Sequence, residues 1–192
     1  MATIREGSKS VLLIVDVQVD VMSRAWQAPQ VIGNVSRLVE RARKQGVPLI
    51  WVQHSADDLP YGSARWQWVP ELAPAPGEAL IHKLFESSFE QTVLEEELSK
   101  RGATHIVLAG ASTHWCIRAT AYGALDRGYD LTLVEDAHTT TTMPLDNGAA
   151  IDAENVVREF NISMTWVRYP GRRNGTATAD RVDFAAAGGV RQ

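Results

Sequence analysis

The chain has 192 residues, of which 45% are hydrophobic and 22% charged, with a formal net charge of −4. This is the composition of a globular domain rather than a disordered, collagenous or disulfide-built chain, and its acid balance supplies no basic field to gather nucleic-acid phosphates. The longest unbroken apolar run, residues 11–15, falls far short of the roughly 20 residues a membrane-spanning helix needs.

Along the chain, apolar runs alternate with amphipathic stretches. Residues 10–17 (SVLLIVDV) read as a strand, and the near-continuous apolar run implies burial on both faces, as in a parallel sheet. Residues 31–45 follow with Val31, Val35, Leu38, Val39 and Ala42 at helical spacing, closed by Gly46 and Pro48. Residues 49–53 (LIWVQ) form a second buried strand and 79–82 a short third one. Between them, residues 55–78 hold Pro60, Pro70, Pro74, Pro76, Trp66 and Trp68, a loop long enough to be functional.

Phe89, Val93, Leu94 and Leu98 mark the next helix, and 105–109 (HIVLA) another strand. A helix over 113–127 carries Ile117, Ala121, Ala124 and Leu125 on one face, before a strand at 130–134 (DLTLV). A helix over 152–160 and a last strand at 164–168 (MTWVR) complete the set. Such alternation predicts an α/β fold of three layers, a mainly parallel six-stranded sheet covered by helices on both faces. The domain is expected over 1–170, with 171–192 a tail available for subunit contacts.

Cys116 is the single cysteine, which excludes an intramolecular disulfide and every zinc site built on paired cysteines. Arg5, Glu6 and Gly7 lack the basic-then-apolar layout of a signal peptide, so the expectation is a reducing cytoplasm. In an open parallel sheet, ligands bind beyond the carboxyl ends of the strands. Three reactive side chains fall there: Asp16 in the first strand, Lys83 after the third, and Cys116 where the fourth turns into a helix. Each has a plain alternative, namely a strand-end cap, a solvated charge and a packing residue. Taken together they describe acyl transfer. A helix start and a lysine both favour thiolate, which puts the expected thiol pKa below about 8.5. An aspartate can take the proton, and free backbone N–H groups can hold an oxyanion. A Cys–His pair is disfavoured, because His114 is too near Cys116 along the chain and nothing singles out His54, His82, His105 or His138.

The stretches LLIVDVQ (12–18), HKLFESSF (82–89) with Thr92 and Leu94, GASTHWCIRATA (110–121) and RGYDLTLVEDA (127–137) closely resemble the isochorismatase-like cysteine hydrolases, in the right order over residues 10–170. The resemblance implies a catalytic triad of Asp16, Lys83 and Cys116. It also implies a cis peptide between Ala111 and Ser112, with the Ser112 and Cys116 amides as the oxyanion hole. Metal-binding nicotinamidases of this superfamily carry Asp-x-His after the second strand. Here Gln53-His54-Ser55 stands there, with Asp57 and Asp58 beyond, so neither metal nor cofactor is expected.

The substrate classes implied are small carboxamides, N-carbamoyl compounds, ureides and the lactam of streptothricin-type antibiotics. Gln18, Trp26, Trp66, Trp68 and Trp115 are the expected substrate contacts, the loop over 55–79 setting the choice, while Trp51 and Trp166 are expected in the core. Two rival readings are vinyl-ether hydrolysis of isochorismate, with the aspartate as proton donor and no need of a thiol, and a non-catalytic partner domain. The expected partners are a small-molecule substrate and further copies in a homodimer or homotetramer, with neither nucleic acid nor membrane.

Overall fold

Five consecutive apolar residues cannot leave one strand face in water, and in the computed structural model, which describes residues 9–185, they do not. Strand β1 (Lys9–Val15) lies at the centre of a six-stranded, wholly parallel sheet. Its neighbours are β2 (Leu49–His54), then β3 (Ala79–Lys83), on one side. On the other are β4 (Ala103–Ala111), β5 (Asp130–Thr139) and β8 (Asn174–Ala177). A two-stranded ribbon, β6 (Met143–Pro144) with β7 (Ala150–Ile151), stands apart from it.

Side chains alternate across a strand, so β1 feeds two cores. Val11, Leu13 and Val15 pack with Ile50, Val52 and Ile81 against α3 (Leu94–Lys100), α4 (Arg118–Asp126) and α5 (Ala153–Trp166). Leu12 and Ile14 face the apolar stripe of α2 (Ala28–Lys44), formed by Val31, Val35, Leu38, Val39 and Ala42. A short helix, α1 (Val19–Met22), follows β1. The three-layer α/β fold is as expected from the alternation, and among the described residues no helix is long and apolar enough to cross a membrane.

Three elements depart from the sequence reading. The expected strand at 164–168 is instead the end of α5, through Trp166, and two irregular residues after it. Ala153, Val157, Phe160 and Met164 are all buried, so the helical period runs through Met164, and Trp166 is 76% exposed rather than core. The sixth strand comes instead from the segment read as a tail, where Asn174–Ala177 pairs with β5. Beyond it Ala179, Val182 and Phe184 cover the α2 side of the sheet, and Arg41 donates to the carbonyls of Ala179 and Val182. The helix expected from Phe89 begins only at Leu94, because 85–93 turn back with Phe89 buried in the core. The expectations for residues 5–7 and for the end of the tail at 186–192 lie outside the described residues.

Candidate active site

The strand order reverses direction between β1 and β4, and the crevice of a doubly wound sheet opens there. Asp16 follows β1 with a φ of 52°, a left-handed conformation that aspartate tolerates better than most side chains. Across from it β4 comes very close. A Cβ on Gly110, whose φ is 126°, would lie 1.9 Å from the Val15 carbonyl oxygen. Only glycine fits that contact.

Cys116 sits in a π-helical turn (Thr113–Ile117) between β4 and α4, in which Ile117 N–H donates to the Ser112 carbonyl over 3.1 Å. The Ala111–Ser112 peptide bond before it is cis. Lys83 is the last residue of β3, and its side chain is fully buried. Its ammonium lies 2.8 Å from Asp16 Oδ2, with side-chain exposures of 0% and 2% for the pair, and it donates to Cys116 Sγ over 3.1 Å. One buried cation thus touches both a carboxylate and the only sulfhydryl.

The electrostatics reverse one expectation. Burial first, then the Asp16 carboxylate, push the Cys116 thiol up to about 12 against the opposing pull of Lys83. The sulfur is therefore a thiol in the free site, not the thiolate that a helix start and a lysine alone would give. Burial works against charge on Lys83 too, but Asp16 and then Cys116 outweigh it and hold its pKa above the ordinary lysine value.

A cavity of about 310 Å³ opens over Asp16 and Cys116, walled by Val21, His54, Glu86, Ser112 and Trp115, with Lys83 buried behind them. Of the expected substrate contacts, Trp115 alone among the aromatics lines it. Trp26 belongs to an adjoining cleft with Arg24 and His114, which meets the cavity at Trp115. Trp68 packs edge-on against core Trp51 at 5.1 Å, and Trp66 lies against Tyr61 at 4.6 Å. Gln18 is buried beneath the cavity and grips the backbone of His54 and the carbonyl of Trp66. The loop over 55–78 acts as a brace rather than a wall. Val69 N–H donates to the Val17 carbonyl, and Val19 and Asp20 donate to Gln67 and Arg65.

His54 is a residue that sequence reasoning named among the histidines without singling it out. It pairs in register with Lys83 across β2 and β3, and shares its sheet face with Ile50 and Val52. The alternation in LIWVQH could have placed it there. Burial, then the Lys83 charge, lower its pKa against the opposing pull of Asp16. Among the described residues no group of three His, Cys, Asp or Glu side chains could hold a metal ion.

Residues 10–169 match the family model of the isochorismatase domain. The secreted isochorismatase effector Isc1 of Verticillium dahliae is 31% identical over 156 residues, which are 78% of this chain and 80% of that protein. The streptothricin hydrolase of Streptomyces noursei is 32% identical over 145 residues, 71% of this chain, though the match spans only 57% of that protein. Among solved structures, an isochorismatase from Pseudomonas putida superposes with a TM-score of 0.80 at 27% identity, covering 94% of this chain and 93% of that one.

Proposed function

Because the chain belongs to the isochorismatase family, we propose that it is a hydrolase of non-peptide C–N bonds, opening a small carboxamide, lactam or ureide through a thioester on Cys116. The observation that carries this is the shared ammonium, with Lys83 Nζ 2.8 Å from Asp16 Oδ2 and 3.1 Å from Cys116 Sγ in a buried pocket. A thiol lying up at about 12 cannot wait as an anion, so its proton leaves as the sulfur attacks. Asp16 takes that proton while Sγ bonds to the carbonyl carbon, and the Ser112 and Cys116 amides receive the oxyanion. The tetrahedral species collapses, the C–N bond breaks, and the proton on Asp16 goes to the leaving nitrogen. Water then cleaves the thioester. Lys83 offsets the negative charge as it moves between carboxylate and sulfur.

The cavity volume suits a small molecule, and the reaction needs no cofactor. The relationship to the streptothricin hydrolase makes a streptothricin a natural first substrate to try. Vinyl-ether hydrolysis is the other chemistry the family suggests, but it has no use for a sulfur held at 3.1 Å by the same lysine. Cys116→Ala separates the two. With a panel of carboxamides, lactams and ureides, the wild type is expected to release amine and show an acyl mass shift on Cys116, and the variant to do neither. Amine release by the variant above a tenth of the wild-type rate would rule out the thioester route.

A further inference from the structure

The wall of the catalytic cavity carries a charge that the reaction does not use. Asp16 and Lys83 offset one another across 2.8 Å, and the Cys116 sulfur is a thiol. Burial and then the Lys83 charge keep the His54 ring neutral. Glu86 lines the same cavity and forms no ion pair among the described residues. Arg24 belongs to the adjoining cleft rather than to this wall. The negative charges of Glu86 and of Asp58, from the loop over 55–78, both act on the His54 ring. The cavity is therefore left electronegative, with Glu86 as the charged side chain on its wall that no partner cancels.

An exposed glutamate is ordinarily a solvated surface charge. This one is carried on a turn whose base is fastened. In LFESSF (84–89) Glu86 is the only charged residue, and both Ser88 and Phe89 behind it are buried. Ser88 N–H donates to Thr120 Oγ1 of α4 over 3.0 Å, and the Thr120 hydroxyl donates to Ser88 Oγ over 2.9 Å. The carboxylate is thus held at the cavity rather than on a free loop. We propose that Glu86 sets the charge preference of the site, which takes a small amide bearing a positively charged nitrogen and turns anionic amides away, an inference that rests on the amide-hydrolase reading above. A charged group entering the cavity gives up water and needs a partner there. Glu86 offers one to an ammonium or guanidinium. A carboxylate finds none, because the Lys83 ammonium is buried and already shared between Asp16 and Cys116.

Because Cys116 is the only cysteine, its labelling rate reads the charge of the cavity without any turnover. The full chain is treated with three methanethiosulfonates bearing an ethylammonium, an ethyl or an ethylsulfonate arm, and labelling is followed by mass. Each rate is divided by that of free 2-mercaptoethanol. The wild type is expected to favour the cationic over the anionic reagent about tenfold or more. Glu86→Gln should cut that ratio at least about threefold, and Glu86→Lys should invert it. A change in the thiol pKa acts on all three reagents alike and cancels from the ratio. The same order should appear in kcat/KM for three amides of one length, 5-aminopentanamide, hexanamide and 4-carbamoylbutanoate, and should respond to the same substitutions. A wild-type labelling ratio within twofold of unity, a ratio that Glu86→Lys leaves within twofold of wild type, or a wild-type preference for the anionic amide would overturn the assignment. Ammonia release by Cys116→Ala at the wild-type rate would instead remove the thioester route, while the labelling ratio would still report the charge preference of the cavity.

Discussion

At the scale of single residues, the site turns on which of two neighbours governs the sulfur. Lys83 stabilises a thiolate, whereas burial and Asp16 destabilise it, and the second pair wins. Reactivity and catalysis should therefore separate in Asp16→Asn. Removing the carboxylate deletes an anion that raises the thiol pKa and leaves the ammonium to act on sulfur alone, so the pKa falls from about 12. Each unit of fall multiplies the thiolate fraction at pH 8 about tenfold. Iodoacetamide is thus expected to alkylate the variant at least about tenfold faster than the wild type at pH 8. Amide hydrolysis should be lost, because the proton acceptor has gone. Slower alkylation of the variant would mean that Asp16 does not face the sulfur. The residue types and their positions at the strand ends were legible in the sequence. The direction of the thiol shift was not, because it depends on how thoroughly Cys116 is buried and how near Asp16 comes. Both are products of tertiary packing.

At the scale of elements, periodicity served well wherever burial was two-sided or the apolar stripe was long. The run in β1 and the 31–42 stripe of α2 are of this kind. It failed at α5 and β8 for opposite reasons. The β-branched and aromatic residues around Trp166 imitate a strand, although Met164 still keeps step with Phe160 and Val157 on a helix. Asn174–Ala177 carries no alternation at all, since a short edge strand is held by its backbone ladder to β5 and exposes part of each side chain. Gly110 belongs to this scale too, because it lets two elements touch. With a Cβ only 1.9 Å from the Val15 carbonyl oxygen at a φ of 126°, Gly110→Ala must push β4 away from β1 or distort the turn that carries Cys116. A loss of about 3 kcal/mol or more is expected in urea denaturation. Gly46→Ala, where nothing lies within 4 Å of the added methyl, should cost less despite its φ of 66°. Equal losses in the two variants would contradict the close approach.

At the scale of the whole molecule, two histidines anchor the sheet as neutral rings. His105 in β4 lies between Ser10 of β1 and Thr132 of β5, and His138 in β5 lies between Thr113 of the π-helical turn and Asn161 of α5. Burial lowers both to about 4. An unfolded chain protonates the same rings near pH 6.5. Between about 4 and 6.5 the unfolded state therefore binds more protons than the folded one. Folding stability falls as pH drops through that window, and above it the contribution is complete. Each ring adds about 1.4 kcal/mol per pH unit to the slope where only the unfolded form is charged. The urea midpoint of the wild type is expected to hold steady from pH 8 to 7 and then drop between pH 6 and 4.5. Carboxylates held below their usual range, such as Glu78 and Glu97, act mainly at the acid end of this interval and below it. A double substitution, His105→Gln with His138→Gln, lowers the absolute stability but removes the two titrating rings. Its midpoint should change markedly less between pH 6 and 5 than that of the wild type. An undiminished slope in the double variant would show that the acid sensitivity arises elsewhere and that these rings can be charged in place.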